Sequence, residues 1–283
     1  MNTPDVSLVI FTCKGREQLL HQTLNSFRQF CKYPFHKTVL AIDGTIDSAV
    51  IVHVNPDLVV QLPVRKGYVN SILHALKNVG SEYFFWLEDD WNFNAAVDIE
   101  LFINNLSTNK TWAQIAYSKH AVNVFRNSLT PLTEFFYNNP NGFSANPMIC
   151  RTDLIKDCFN NLLRWLKDGA TGNEGFENFV SRDLERQGLL CVVYEFPDKT
   201  IISHEGYLES TPRNWHMINS IEESHPEEYL LTMPEPAFWR RILMVWRLFI
   251  AFLKLAIKQL ANNEIYELCF RILASVKNTR KNG

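Results

Sequence analysis

Three carboxylates stand side by side at Glu88-Asp89-Asp90, directly after the apolar run Tyr83-Phe84-Phe85-Trp86-Leu87. Adjacent carboxylates repel one another, and each is costly to desolvate without a partner. At the end of a buried strand they make chemical sense around a divalent cation. An all-oxygen set of few ligands suits Mg²⁺ or Mn²⁺, with diphosphate oxygens and water completing the octahedron. The plainer reading is a solvated acidic turn. Trp86 and Trp91 weigh against it, because aromatic flanks wall a site off from open surface. Two further polar clusters, Thr12-Cys13-Lys14-Gly15-Arg16 and Asp43-Gly44-Thr45, also follow apolar runs directly. Glu177 opens a helical pattern, where the plain reading is an acid on the favourable end of the helix dipole. His204 closes the short run Ile202-Ser203-His204.

The elements that must position these groups are legible as alternating strands and helices. Val6–Thr12, Thr38–Ile42 and Tyr83–Leu87 are apolar almost throughout, as buried strands of a parallel sheet are. Helical spacing covers Glu17–Cys31 and Val69–Val79, and β-branched runs at Val50–Val54 and Leu58–Val64 read as extended. Farther on, helices are expected near Ala95–Leu106, at Asp153–Leu166 and at Glu177–Gln187. Strands are expected at Trp112–Tyr117, Leu189–Tyr194 and Thr200–Ser203, with a Pro/Asn-rich loop up to Pro147 and another loop over residues 205–237. The expected fold class is α/β: one Rossmann-like, mostly parallel sheet flanked by helices, followed by a C-terminal amphipathic helical extension. In such a sheet functional residues gather at the carboxyl ends of strands, where all three clusters fall.

Composition sets the outer bounds. The chain has 283 residues, 46% of them apolar and 20% charged, which excludes low-complexity disorder. Its six cysteines form no CxxC pair, so a disulfide scaffold or zinc ribbon is not expected, and a reducing, cytoplasmic compartment is. The first residues lack a basic n-region, so no signal peptide is expected. From Phe238 onward nine basic residues stand against two acidic ones, whereas the body before it is acidic. That balance argues against a nucleic-acid partner. Arg240, Arg247, Lys254 and Lys258 form one stripe on a helix otherwise carrying Trp239, Leu243, Trp246, Phe249, Ile250 and Leu253. Such a helix suits peripheral contact through residues 238–260 with the inner face of a membrane. Packing on the domain or on a second copy of the chain, as a homo-oligomer, is the alternative. The expected division is 1–236 for the α/β domain and 237–283 for the basic tail.

Several segments together resemble the nucleotide-sugar glycosyltransferases of A-type fold, family 2 in particular. Ser7–Leu20 followed by Thr23–Phe27 is similar to the family's opening strand and helix. Asp43-Gly44-Thr45 resembles its Asp-Asp-Gly-Ser segment, and Tyr83–Asp90 resembles the stretch leading to its DxD motif, written here Glu88-x-Asp90. The likeness covers roughly residues 6–205. Two positions depart from the pattern: Cys13 stands for the usual stacking tyrosine, and Ile42 for the first aspartate of the pair.

The resemblance implies an inverting, metal-dependent transfer of a sugar from a nucleotide diphosphate, a UDP-sugar first of all, to a hydroxyl acceptor. It implies Mn²⁺ or Mg²⁺ on Asp90 and His204, and donor contacts from Thr12, Arg16, Asp43, Glu88 and Asp89. Gly175-Phe176-Glu177-Asn178 stands where the family has its G-E-D-like segment, which makes Glu177 the catalytic base and Glu174 its alternative. Gly142–Pro147 resembles the loop that frames donor and acceptor, and Arg213 and Trp215 are candidates to line the acceptor site. A sugar-phosphate nucleotidyltransferase would need a richer glycine loop than Cys13-Lys14-Gly15-Arg16, and no GxGxxG supports a dehydrogenase. A non-catalytic nucleotide- or membrane-binding protein on the same fold is the remaining alternative.

Overall fold

The computed structural model describes residues 4–118, 129–167, 175–196 and 200–205, together with Trp246, Phe249, Ile250 and Leu253. The chain divides into one unit over Met1–Leu230 and a second over Leu231–Gly283.

In the first unit β1 (Val6–Cys13), β2 (Lys37–Asp43), β3 (Leu58–Gln61) and β4 (Tyr83–Glu88) lie parallel in the order β3-β2-β1-β4. The sheet continues through β9 (Met148–Arg151), β6 (Trp112–Tyr117), β10 (Leu190–Tyr194), β8 (Phe136–Asn138) and β7 (Thr130–Pro131). β9 runs antiparallel to both β4 and β6, and β10 parallel to β6. β1 to β4, β6 and β10 therefore all end at one edge. From β1 the chain goes outward to β2 and β3, then returns to place β4 on the other side of β1. The point where the order reverses lies between β1 and β4, where open α/β sheets bind ligands.

Alternation along each strand feeds two cores. Leu8, Ile10, Phe85 and Leu87 point to one face, where α1 (Glu17–Phe30) contributes Leu20, Leu24 and Phe27 and α4 (Ile99–Thr108) contributes Phe102 and Leu106. Val9, Phe11, Phe84 and Trp86 point to the other. There they meet Val69, Ile72 and Leu76 of α3 (Tyr68–Leu76), Ile155, Phe159 and Leu162 of α5 (Thr152–Lys167), and Val180 and Leu184 of α6 (Phe176–Arg186). Burial on both faces is why these strands read as continuous apolar runs.

Two expectations are corrected. Val50–Val54 is helical, within α2 (Ser48–Val54). The Asp47 side chain accepts the Ala49 amide at 2.8 Å at its start, Asn55 adopts φ 52° at its end, and Val50 and Val54, one turn apart, are buried. Capping and a buried stripe override the β-propensity of valine and isoleucine. The stretch before Pro147, expected as loop, holds β7 and β8, which extend the sheet beyond β10.

A second, two-stranded antiparallel sheet joins β5 (Trp91–Phe93) to β11 (Ile202–His204), with His204 opposite Trp91. Thr23 Oγ1 and Ser26 Oγ, both on α1, accept the amides of Trp91 and Phe93 at 3.0 and 3.1 Å. These hydroxyls explain two buried polar positions on the apolar face of α1, and they fasten the chain leaving the acidic turn. Among the described residues no helix is long and apolar enough to cross a membrane.

Candidate functional site

The acidic turn is buried, not splayed into solvent: Asp89 is 3% exposed and Asp90 6%. Thr12 Oγ1, at the end of β1, donates to Asp89 Oδ2 at 2.7 Å. Arg16, capping the start of α1, donates through Nε to Asp89 Oδ1 at 2.6 Å and through Nη2 to Asp90 Oδ2 at 2.5 Å. One forked cation thus spans two neighbouring carboxylates that would otherwise repel. Glu88 turns elsewhere, taking the Tyr68 hydroxyl on Oε1 and the Trp91 indole Nε1 on Oε2 at 3.4 Å.

Electrostatics separates the three acids. Burial pushes Glu88 up to about 8, helped by the charges of Asp90 and Glu177 and opposed by the Tyr68 hydrogen bond. Burial also raises Asp89, to about 6, against the pull of Arg16. At Asp90 burial acts upward too, but the His204 hydrogen bond and Arg16 outweigh it and hold the carboxyl below its ordinary value. The three neighbouring acids are thus set apart: Asp90 is the one held toward its ionised form, and Glu88 the one pushed most toward its protonated form.

Asp43 ends β2 opposite Cys13 of β1 and is 4% exposed. Its Oδ1 accepts the Lys66 amide at 2.7 Å and its Oδ2 the Gly67 amide at 3.0 Å, while Arg65 Nε lies 3.7 Å from Oδ2. The carboxylate organises the loop between β3 and α3, and it brings the Arg65 guanidinium within 3.6 Å of Cys13 Sγ. Gly44 has φ 92°, a conformation that residues with a side chain rarely adopt, so glycine suits the turn that follows Asp43. Burial pushes the Cys13 thiol up to about 12, which leaves a neutral wall where the resemblance has an aromatic ring.

His204 reaches the site from the far end of the unit. The β5–β11 ladder sets its ring 4.7 Å from that of Trp91, the Glu205 amide donates to the Asp90 carbonyl at 2.8 Å, and His204 Nε2 lies 3.1 Å from Asp90 Oδ2. Among the described residues no group of three or more His, Cys, Asp or Glu side chains is placed to hold an ion by itself. Asp90 nevertheless carries a buried oxygen, Oδ1, with no hydrogen-bond partner, beside a histidine nitrogen. An orphaned carboxylate oxygen next to an imidazole fits a divalent cation whose remaining ligands come from substrate and water.

Glu177, in the first turn of α6, is half-buried and accepts the Ala145 amide on Oε1 at 2.8 Å. It is also near enough to Glu88 to raise that group. One turn later Ser181 Oγ accepts the Phe143 amide at 2.8 Å and donates to the Glu177 carbonyl at 2.6 Å. The loop expected to frame the substrates is thus clamped to the first turns of α6.

Strand ends legible in the sequence bring Thr12, Arg16, Asp43, Asp89 and Asp90 to the same edge of the sheet. Sequence reading missed Arg65, Tyr68 and Ser181, although Arg65-Lys66-Gly67 forms a basic run just before a helix. Glu174, Arg213 and Trp215 lie outside the described residues, as does nearly all of 206–283.

No protein-family model and no curated protein sequence matches the chain. Solved structures similar in fold include S. aureus TarS 1-349 in complex with UDP-GlcNAc, at 18% identity over 70% of this chain and 58% of that one, with TM-score 0.49. Another is GalNAc-T7 with UDP, GalNAc and Mn²⁺, at 14% identity over 72% and 44%, also with TM-score 0.49. The chain spans about half the length of these structures.

Proposed function

We propose that the chain is an inverting glycosyltransferase that takes a sugar from a nucleotide diphosphate, a UDP-sugar first of all, and passes it to a hydroxyl acceptor. The observation that carries this reading is the buried, unpartnered Oδ1 of Asp90, set beside His204 and between the ends of β1 and β4. Asp90 and His204 would hold Mn²⁺ or Mg²⁺, which when bound supplies positive charge for a departing diphosphate.

The chain's own residues do the rest. Asp43, with Arg65 and the amides it orders, forms the floor for the nucleoside next to Thr12 and Cys13. Arg16 supplies positive charge between that floor and Asp90. Glu177, held by the Ala145 amide, takes the proton from the acceptor hydroxyl as that oxygen attacks the anomeric carbon from the side opposite the leaving group. Clamping of the 142–146 loop by α6 keeps this carboxylate and the donor in one geometry.

Calorimetry with UDP and Mn²⁺ tests the reading. The expected result is UDP binding that requires Mn²⁺ in the unaltered chain and loses that requirement, with most of its affinity, in Asp90→Asn. UDP binding of normal strength in Asp90→Asn, or no gain from Mn²⁺ in the unaltered chain, overturns it.

For the second unit we propose peripheral contact with an anionic lipid surface. Trp246, Phe249 and Leu253 are spaced as one helical face and are 58%, 51% and 41% exposed, within a segment rich in Lys and Arg.

A further inference from the structure

The Asp90 carboxylate is used unevenly. Its Oδ2 meets two nitrogens, Arg16 Nη2 at 2.5 Å and His204 Nε2 at 3.1 Å, while its Oδ1 is buried and unpartnered. The same Arg16 guanidinium gives its Nε to Asp89. Arg16 is therefore more than one partner among several: its single positive charge offsets one of the two negative charges of Asp89 and Asp90. Its side chain is 21% exposed, against 5% and 8% for Asp89 and Asp90, so it closes the pair off from the solvent side.

Charge arithmetic gives this placement a consequence. Two ionised carboxylates facing one guanidinium leave the turn negative, which favours a divalent cation. Once that cation sits on Asp90, the two carboxylates face three positive charges and the turn becomes positive, which favours an anion. With the guanidinium on Oδ2 and a cation on the free Oδ1 of one carboxylate, the two positive charges would repel, and each would weaken the other's hold on Asp90. A guanidinium fork also matches phosphate oxygens as well as it matches a carboxylate.

We propose that Arg16 is a resident counter-cation that yields Asp90 to the incoming divalent ion and turns to the diphosphate, so that cation binding and anion binding are coupled through one side chain. The inference rests on the glycosyltransferase reading and adds a positioning role that the reading does not require. The guanidinium is planar and its Nε–H and Nη2–H form one fork, so releasing Asp90 swings the whole fork and loosens the Nε bond to Asp89 as well.

The experiment is calorimetry on the full chain with Mn²⁺ alone, then with inorganic pyrophosphate at saturating Mn²⁺. Unaltered chain, Arg16→Gln and Arg16→Lys are compared, with thermal unfolding recorded for each. Removing the competing charge in Arg16→Gln is expected to tighten Mn²⁺ binding about tenfold and to weaken pyrophosphate binding about tenfold, the scale of one charged hydrogen bond. Arg16→Lys retains the charge without the fork, and is expected to change both affinities in the same opposite directions by less. It remains the test if Arg16→Gln does not fold. A merely structural strut would shift both affinities the same way, and that result, or unchanged Mn²⁺ affinity, overturns the proposal. An unaltered chain that binds neither Mn²⁺ nor pyrophosphate overturns the glycosyltransferase reading along with it. Binding of both without a response of opposite sign overturns this inference alone.

Discussion

Glu177 Oε1 accepts the amide of Ala145, 32 positions earlier in the chain, at 2.8 Å. The carboxylate that the resemblance makes a proton acceptor therefore also fastens the 142–146 loop. The two roles can be separated by chemistry, because glutamine offers an acceptor oxygen in the same place but cannot take a proton. Glu177→Gln is expected to keep the loop, the unfolding temperature and Mn²⁺-dependent UDP binding, while slowing transfer by about 10²–10⁴-fold. Glu177→Ala loses both roles, and its unfolding temperature should fall as well. Mass spectrometry of UDP-sugar consumption checks the rate, and unimpaired consumption by Glu177→Gln removes Glu177 from the mechanism.

The same clamp makes a prediction at Gly142. Its φ is 75°, and a Cβ there would stand 2.4 Å from Ser181 Oγ and 2.5 Å from Ser181 Cβ. Gly142→Ala must therefore strain the backbone and push the loop off α6. A loss of about 1–3 kcal/mol in urea unfolding is expected. Ser181→Gly removes the clashing atoms together with the clamp, so in that background Gly142→Ala should cost less than it does in the unaltered chain. If Gly142→Ala is as stable as the unaltered chain, the loop is not clamped as described.

Why some of this was legible in the sequence and some was not follows from the physics of each element. β1, β2 and β4 are covered on both faces, so Val6–Cys13, Lys37–Asp43 and Tyr83–Glu88 announce themselves as apolar runs with polar groups at their ends. The acidic turn and Asp43 were visible for that reason. α2 was misread because its β-branched residues outweigh a signal carried by two capping positions, Asp47 and Asn55. β9 escaped notice because four residues against β4 and β6 make no periodic pattern. The partners Arg65, Tyr68 and Ser181 act across loops, through contacts that only the folded chain creates, and no spacing rule reaches from Asp43 to Lys66 or from Gly142 to Ser181.

Glu88 gives a pH prediction with a definite sign. Its folded value is raised from 4.5 to about 8, with burial the largest cause. Between those values the folded chain holds a proton that the unfolded chain has released, so this group's contribution to stability is full below pH 4.5 and declines as pH rises through about 8. Glu88→Gln removes the group from the balance. Urea unfolding in the presence of a chelator should show Glu88→Gln gaining stability relative to the unaltered chain as pH is raised from 5 to 8. A difference between the two that stays flat across that range would mean that Glu88 is ionised and well solvated in the folded chain.

The last prediction concerns the second unit. Trp246, Phe249 and Leu253 fall three and four residues apart, so they share one face of a helix, and all three are exposed. Large apolar side chains in water are a cost that a lipid interface removes, and the lysines and arginines of this segment add attraction to anionic headgroups. The full chain should pellet with vesicles containing phosphatidylglycerol more than with neutral ones, and added salt should weaken the binding because charge attraction is screened. Trp246→Ser with Phe249→Ser should lower pelleting on both vesicle types while leaving the circular dichroism of the chain unchanged. Ending the chain near Glu235 should abolish pelleting yet keep Mn²⁺-dependent UDP binding, which separates attachment from donor recognition. Equal pelleting of the truncated and full chains would place the lipid-binding surface elsewhere, and pelleting of neither would leave the aromatic face to a protein partner.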